Sequence, residues 1–193
     1  MAMRELPILF STEMVNAILN GNKSQTRRVI KPQPDKEVTQ MVDWSTWLKC
    51  PYGEPGDRLF VKETWKIEGI DPVNLTMLIR YRADNECKVA QFSPERFEKF
   101  RKFYQKNGWQ SPYFMPKEAT RIWLGNENVR VERLWDITEE DAIKEGCDKL
   151  LMKTRSARNN FMNLWNSINT KRGYIWAMNN WVWVVEFRRV DSL

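Results

Sequence analysis

The sequence predicts an α+β protein built on a small β-barrel with flanking helices and a large insertion. Three observations carry this reading. Strand-like segments occur near both ends of the chain, short helical segments interrupt them without regular βαβ alternation, and about residues 66–119 carry strand and helix signals of their own. A length of 193 residues fits a single domain bearing such an insertion.

Pro7-Ile8-Leu9-Phe10 reads as a short buried strand. Ser11 or Thr12 then caps a helix whose Met14, Val15, Ile18 and Leu19 share one face, and Gly21 supplies the left-handed residue that ends it. Gln25 to Ile30 is a predicted strand, with Ser24, Thr26 and Arg28 pointing one way and Arg27 and Val29 the other. Pro32, Pro34, Pro51 and Pro55 mark residues 31–57 as a long loop carrying Trp44 and Trp47, closed by the turn Glu54-Pro55-Gly56-Asp57. Arg58 to Trp65 has the β-branched and aromatic content of a strand. Within the insertion, Thr76 to Arg82 reads as a strand. Ser93-Pro94-Glu95 opens a helix with an apolar stripe of Phe97, Phe100, Phe103 and Tyr104, closed by Gly108.

Thr120–Leu124 and Val129–Trp135 are predicted to form a hairpin across Gly125-Asn126-Glu127-Asn128. Thr138 caps a short helix over Glu139–Glu145, ended by Gly146. A longer helix spans about Thr154–Ile168 and buries Ala157, Phe161, Leu164, Trp165 and Ile168. Trp181–Val190 alternates as a closing strand.

Composition narrows the function classes. Apolar residues make up 42% and charged residues 29%, as in ordinary globular proteins. The net charge of +6 favours polyanionic partners, although solubility alone would also account for it. Ten tryptophans either build core or line a groove that stacks bases or sugars. Cys50, Cys87 and Cys147 are far apart, which points to free thiols in a reducing cytoplasm. With no histidine and no closely spaced cysteines, zinc lacks its usual ligands, and neither a metal nor a cofactor is expected. The first residues lack a signal-peptide pattern, and no segment approaches the ~18 apolar residues of a membrane span. A cytoplasmic protein without membrane contact is therefore expected.

The absence of histidine also restricts acid–base chemistry to lysine, carboxylate, cysteine or tyrosine at shifted pKa values. Against that restriction Gly21-Asn22-Lys23-Ser24-Gln25-Thr26-Arg27-Arg28 stands out, with lysine, hydroxyl and arginine within six residues. Thr26 needs a base to become a nucleophile. Lys23 could serve if burial or the neighbouring Arg27 and Arg28 lower its pKa; otherwise it is a solvated cation beyond a helix C-terminus. Glu145 stands at the end of its helix where the macrodipole disfavours a carboxylate. That raises its pKa toward a general acid, unless the residue is fully solvated.

Three features together resemble an ASCH domain of the PUA-like barrel group. They are Gly21-x-Lys23-x-x-Thr26-x-Arg28 after a helix, Pro55-Gly56-Asp57 opening a strand, and Ile137-Thr138-Glu139-Glu140-Asp141-Ala142-Ile143-Lys144-Glu145-Gly146 after a hairpin, with a closing strand at 181–190. The match covers about residues 7–30, 55–65, 120–146 and 181–190. The whole chain also resembles ASCH-like proteins of phages and prophages, which share the Cys50-Pro51-Tyr52-Gly53 loop and the tryptophan-rich C-terminus. The resemblance implies one of two functions. PUA-like domains are commonly RNA-binding modules, whereas small bacterial ASCH proteins are amidohydrolases that remove the acetyl group from N4-acetylcytidine. The residues that carry that activity match Lys23, Thr26 and Glu145. The insertion, the proline-rich loop and the helix at 154–168 depart from the small enzymes' pattern.

On this reading the partner is a modified nucleoside or a nucleic acid. Thr26 attacks an amide carbonyl or positions a water, Lys23 is the base and Glu145 protonates the leaving amine. Arg28 holds the oxyanion or a phosphate. Arg27, Glu63, Trp65 and Arg121 are further candidates for binding, with Met115 and Tyr113 as aromatic or apolar neighbours of a base. For Glu63 the alternative is an outward structural glutamate, and for Trp65 and Met115 it is the core.

Overall fold

The computed structural model describes residues 3–34, 49–106, 108–147 and 156–191. Trp44 and Trp47 lie outside them, as do residues 154–155 of the last predicted helix. The described residues form eight strands and four α-helices, in the α+β class expected. The strands do not close into a barrel. They make a five-stranded sheet of order β1-β3-β7-β8-β2 and a three-stranded sheet of order β4-β5-β6.

In the larger sheet β1 (Glu5–Leu9) runs parallel to β3 (Arg58–Lys62), and all other neighbours are antiparallel. At its far edge β2 (Gln25–Val29) pairs with β8 (Trp181–Val190), Thr26 opposite Val185 and Arg28 opposite Trp183. The expected hairpin at 125–128 is not a turn. β7 runs unbroken from Trp123 to Arg133 and pairs with β8 along its whole length, with a bulge between Asn126 and Asn128. The turn-forming residues are held extended because Asn126 exchanges backbone hydrogen bonds with the turn before β3. Its N–H donates to the Asp57 carbonyl at 2.9 Å and its carbonyl accepts from the Gly56 N–H at 2.9 Å.

Three helices begin where their caps predict, and the fourth, read from about Thr154, begins at Ala157. Ser11 accepts from the Met14 N–H at the start of α1 (Thr12–Leu19), and Ser93 from the Arg96 N–H at the start of α2 (Pro94–Gln105). Thr138 does the same for α3 (Glu139–Lys144) and Ser156 for α4 (Ala157–Asn169).

Three buried clusters follow from these pairings. Ile8, Phe10, Val15, Ile18, Leu59 and Phe187 pack α1 on one face of the larger sheet. Ala142, Phe161, Trp165, Val182 and Val184 pack α3 and α4 on its other face. β4 (Trp65–Asp71), β5 (Thr76–Tyr81), β6 (Cys87–Gln91) and α2 enclose a separate core of Trp65, Met77, Ile79, Phe97, Phe100 and Phe103. The segment read as an insertion thus buries its own apolar face. Tyr104, placed on the α2 stripe from sequence, is exposed.

Candidate functional site

The site is assembled by two helix ends that face each other. α1 closes in a Schellman pattern, Asn22 N–H to the Ala17 carbonyl at 2.8 Å and Gly21 N–H to the Ile18 carbonyl at 3.1 Å. α3 closes the same way, Cys147 N–H to the Ala142 carbonyl at 3.0 Å and Gly146 N–H to the Ile143 carbonyl at 2.8 Å. The Ser24 N–H then donates to the Lys144 carbonyl at 2.9 Å, tying the start of β2 to the end of α3. Lys23 and Glu145, 122 residues apart in sequence, are thereby brought into contact.

The Lys23 side chain is fully buried, and its ammonium donates three hydrogen bonds. They go to Glu145 Oε2 at 2.8 Å, the Glu145 carbonyl at 2.9 Å and the Gln25 carbonyl at 2.7 Å. Burial lowers the Lys23 pKa from its ordinary value, and the charge of Arg28 adds to this, while Glu145 opposes it. The solvated-lysine alternative does not hold. Glu145 is buried as well, at 4% exposure, so its position at a helix C-terminus is compensated by cations rather than by water. Besides Lys23, Arg27 Nη1 lies 3.4 Å from Glu145 Oε1.

Arg27 is a neutralised charge. Its Nη2 donates to Glu132 at 2.9 Å and to Asp141 at 2.8 Å, with the side chain fully enclosed. Burial disfavours the Asp141 carboxylate, but the hydrogen bond and charge of Arg27, with Arg130 and Gln25, hold its pKa below the usual range. Arg28 differs. Its Nη2 donates to the Leu9 carbonyl at 2.7 Å and its guanidinium lies over the rings of Phe10 and Tyr52, but no carboxylate among the described residues pairs with it. Its buried Nε has no hydrogen-bond partner among the described residues.

These groups border a cavity of about 440 Å³ along the free edge of β2. Thr26, Arg28 and Glu145 line it from the sheet side. Phe161, Leu164, Trp165 and Ile168 of α4 also line it, with Pro51 and Tyr52. The volume suits a small-molecule ligand, and the mixture of aromatic walls with a few convergent polar groups is what such sites present. Thr26 is buried at 2% exposure and follows Gln25, whose carbonyl holds the Lys23 ammonium. The nearby Cys147 thiol is pushed up to about 11, mainly by burial, and stays protonated at neutral pH.

Lys23, Thr26, Arg27, Arg28 and Glu145 therefore come together. The structure does not bring Glu63, Trp65 or Arg121 to this cavity. Arg121 grips Glu63 through two hydrogen bonds of 2.8 Å, donates to Asp84 at 2.6 Å and stacks on Tyr81 at 4.0 Å. Trp65 has 0% exposure in the second core, where Met115 is also buried. Tyr113 is exposed, with Lys62 over its ring. Conversely, Lys31, Lys49, Arg172, Trp165 and Trp183 line the cavity although no sequence reading singled them out as site residues. Only the quoted loop around Tyr52 hinted at that wall. Among the described residues no group of histidine, cysteine or carboxylate side chains is arranged to hold a metal ion. No helix among them is long and apolar enough to cross a membrane.

No family model matches the chain, and no curated protein matches it. Among solved structures it is similar to an ASCH domain from Lactobacillus crispatus JV V101, at 10% identity and TM-score 0.47, over 98% of this chain and 81% of that one. It is likewise similar to a DUF984 protein from Enterococcus faecalis V583, at 10% identity and TM-score 0.44, over 99% and 82%. An ASCH domain is thus among the solved structures that this chain resembles.

Proposed function

We propose that the cavity is the active site of a metal-independent amidohydrolase acting on an acylated pyrimidine nucleoside or nucleotide. The observation that carries this reading is the buried Lys23–Glu145 pair, placed directly behind a cavity whose wall includes Thr26 and Glu145. A buried lysine–carboxylate pair beside a cleft is the kind of arrangement in which active sites set the pKa values of their acids and bases.

The pair holds one transferable proton. Moving it along the 2.8 Å hydrogen bond converts ammonium and carboxylate into amine and carboxylic acid with no change in net charge. Burial lowers the Lys23 pKa, which favours its amine form. As the Glu145 proton turns away toward the leaving nitrogen, the Lys23 lone pair that faced it is freed to accept the Thr26 hydroxyl proton, directly or through water, while the oxygen attacks the amide carbonyl. Glu145 delivers its proton to the leaving exocyclic nitrogen as the C–N bond breaks. The acyl group now rests on Thr26 and the ion pair is restored. A water repeats the sequence on the ester, releasing the acid and the threonine. In the variant of this scheme in which Thr26 only positions the water, the same two protons move.

The test is hydrolysis of N4-acetylcytidine in EDTA by the wild type, Lys23→Ala, Thr26→Ala and Glu145→Gln. Removal of either acid–base group should lower kcat by about 10²–10⁴-fold. Thr26→Ala should do likewise while leaving the thermal transition within a few degrees. Wild-type turnover unaffected by Thr26→Ala would sink the assignment.

The second reading is a binding module for single-stranded nucleic acid. It is favoured by the exposed Lys31, Lys49 and Arg172 sharing one cavity lining with Tyr52, Phe161, Trp165 and Trp183. A steep fall of oligonucleotide affinity with salt, without any turnover, would select it.

A further inference from the structure

The charge balance of the cavity is lopsided. Arg27 is matched by Glu132, Asp141 and Glu145, and Lys23 by Glu145, so these cations leave no surplus. Arg28, Lys31, Lys49 and Arg172 also line the cavity, and no carboxylate among the described residues pairs with any of them. Lys31 instead lies over the Tyr174 ring at 5.0 Å. The buried Nε of Arg28 is left without an acceptor, a costly state for a donor removed from water. Burial pulls the Arg28 pKa below its ordinary value, and the positive charge of Arg172 adds to the effect, while Tyr52 and Glu145 oppose it. Two guanidinium groups that repel each other across a cavity, one with an unanswered donor, are arranged for an anion that is absent from the fold itself. Apart from Thr26, Glu145 and Asn169, the rest of the lining is apolar and aromatic, as a base would require.

We infer that the ligand of this cavity is phosphorylated. A phosphomonoester sits between Arg28 and the Lys31, Lys49 and Arg172 rim while the base reaches inward toward Thr26 and Glu145. The inference rests on the hydrolase reading for the identity of the base, but the phosphate site stands on its own charges. It narrows the substrate to an acylated pyrimidine nucleotide rather than the free nucleoside.

Calorimetric titration with the deacylated products tests it, since they bind without turnover. CMP should bind at least about tenfold more tightly than cytidine, the worth of one charge-assisted contact. The preference should collapse in Arg172→Ala and in Lys31→Ala, both exposed positions, with thermal transitions within a few degrees of the wild type. It should also shrink as salt rises from 50 to 300 mM, roughly as counterion competition requires. Equal affinities for CMP and cytidine would overturn the proposal, and so would a preference that both rim variants retain. AMP binding as tightly as CMP would support the phosphate site while removing the pyrimidine reading. Failure of the phosphate and failure of the hydrolase reading are therefore read from different arms.

Discussion

Lys23 directs every ammonium proton to an oxygen of its own chain, and Glu145 supplies two of those oxygens. Two opposite charges taken out of water are tolerable only as a pair. Removing the lysine alone leaves a buried carboxylate facing only the more distant Arg27. Lys23→Met should therefore destabilise the protein by about 3–5 kcal/mol, as measured by urea unfolding. The double variant Lys23→Met/Glu145→Gln should recover part of that loss, because no unpaired charge remains. Losses that simply add would show that the two residues do not act as a pair. Arg27 holds the same region from the other face of β2, through Glu132 and Asp141, so the collapse should stay local.

At the scale of elements, the site depends on how closely α1 and α3 end against each other. Both helices reverse through a glycine at positive φ, +75° at Gly21 and +88° at Gly146. The two positions differ in what surrounds them. A methyl group at Gly21 meets nothing within 4 Å, whereas one at Gly146 would lie 3.2 Å from Ala17 Cβ and 3.6 Å from Lys23 Cβ. Gly21→Ala should thus cost only the left-handed strain, about 1 kcal/mol. Gly146→Ala should cost about twice that, because it also pushes the helix ends apart, and it should lower turnover by displacing Lys23. Thermal unfolding and kcat of the two variants check this together. Equal effects at both positions would mean that the helix contact does not position the lysine.

Across the whole molecule, the second sheet and α2 carry their own core, and Arg121 ties that unit to the strand that precedes it. Its guanidinium joins Glu63, two residues before β4, to Asp84 beyond β5, with Tyr81 beneath it. Burial raises the Glu63 pKa, and Arg121 works against that rise. In Arg121→Met the opposition is gone, so Glu63 rises further. A carboxyl whose folded pKa exceeds its unfolded one binds more protons when folded. Stability then falls as pH rises from the ordinary carboxylate range through the raised value. The variant should be about 3 kcal/mol less stable than the wild type at pH 7, and the deficit should narrow toward pH 5. N4-acetylcytidine hydrolysis at low temperature should be unchanged, since none of Arg121, Glu63 and Asp84 lines the cavity. A rise in KM would place Arg121 in substrate binding after all.

Short-range chemistry was legible in the chain. The caps at Ser11, Ser93 and Thr138, the glycines after α1 and α3, the Phe97, Phe100 and Phe103 stripe of α2 and the alternation of β8 each depend on neighbours within a few residues, and each lies where its pattern put it; only Tyr104 leaves its stripe for solvent. Residue chemistry singles out Lys23, Thr26 and Glu145 one by one, but only the motif resemblance groups them, and the helix-end position of Glu145 does not by itself tell it from a solvated acid. Its burial and its pairing with Lys23 exist only once α1 and α3 meet. Gly125-Asn126-Glu127-Asn128 has the composition of a turn, yet pairing with β8 on one side and the Gly56-Asp57 turn on the other keeps it in a strand. Arg121, Glu63 and Trp65 carry the residue types of a nucleic-acid site, but packing turns the first two toward each other and encloses the third. Arg172 and Lys49 carry no sequence signal at all. They matter because Lys49, Pro51 and Tyr52 line one cavity with α4 and β2, and only tertiary structure decides which cations among the described residues find a carboxylate and which remain open to a ligand.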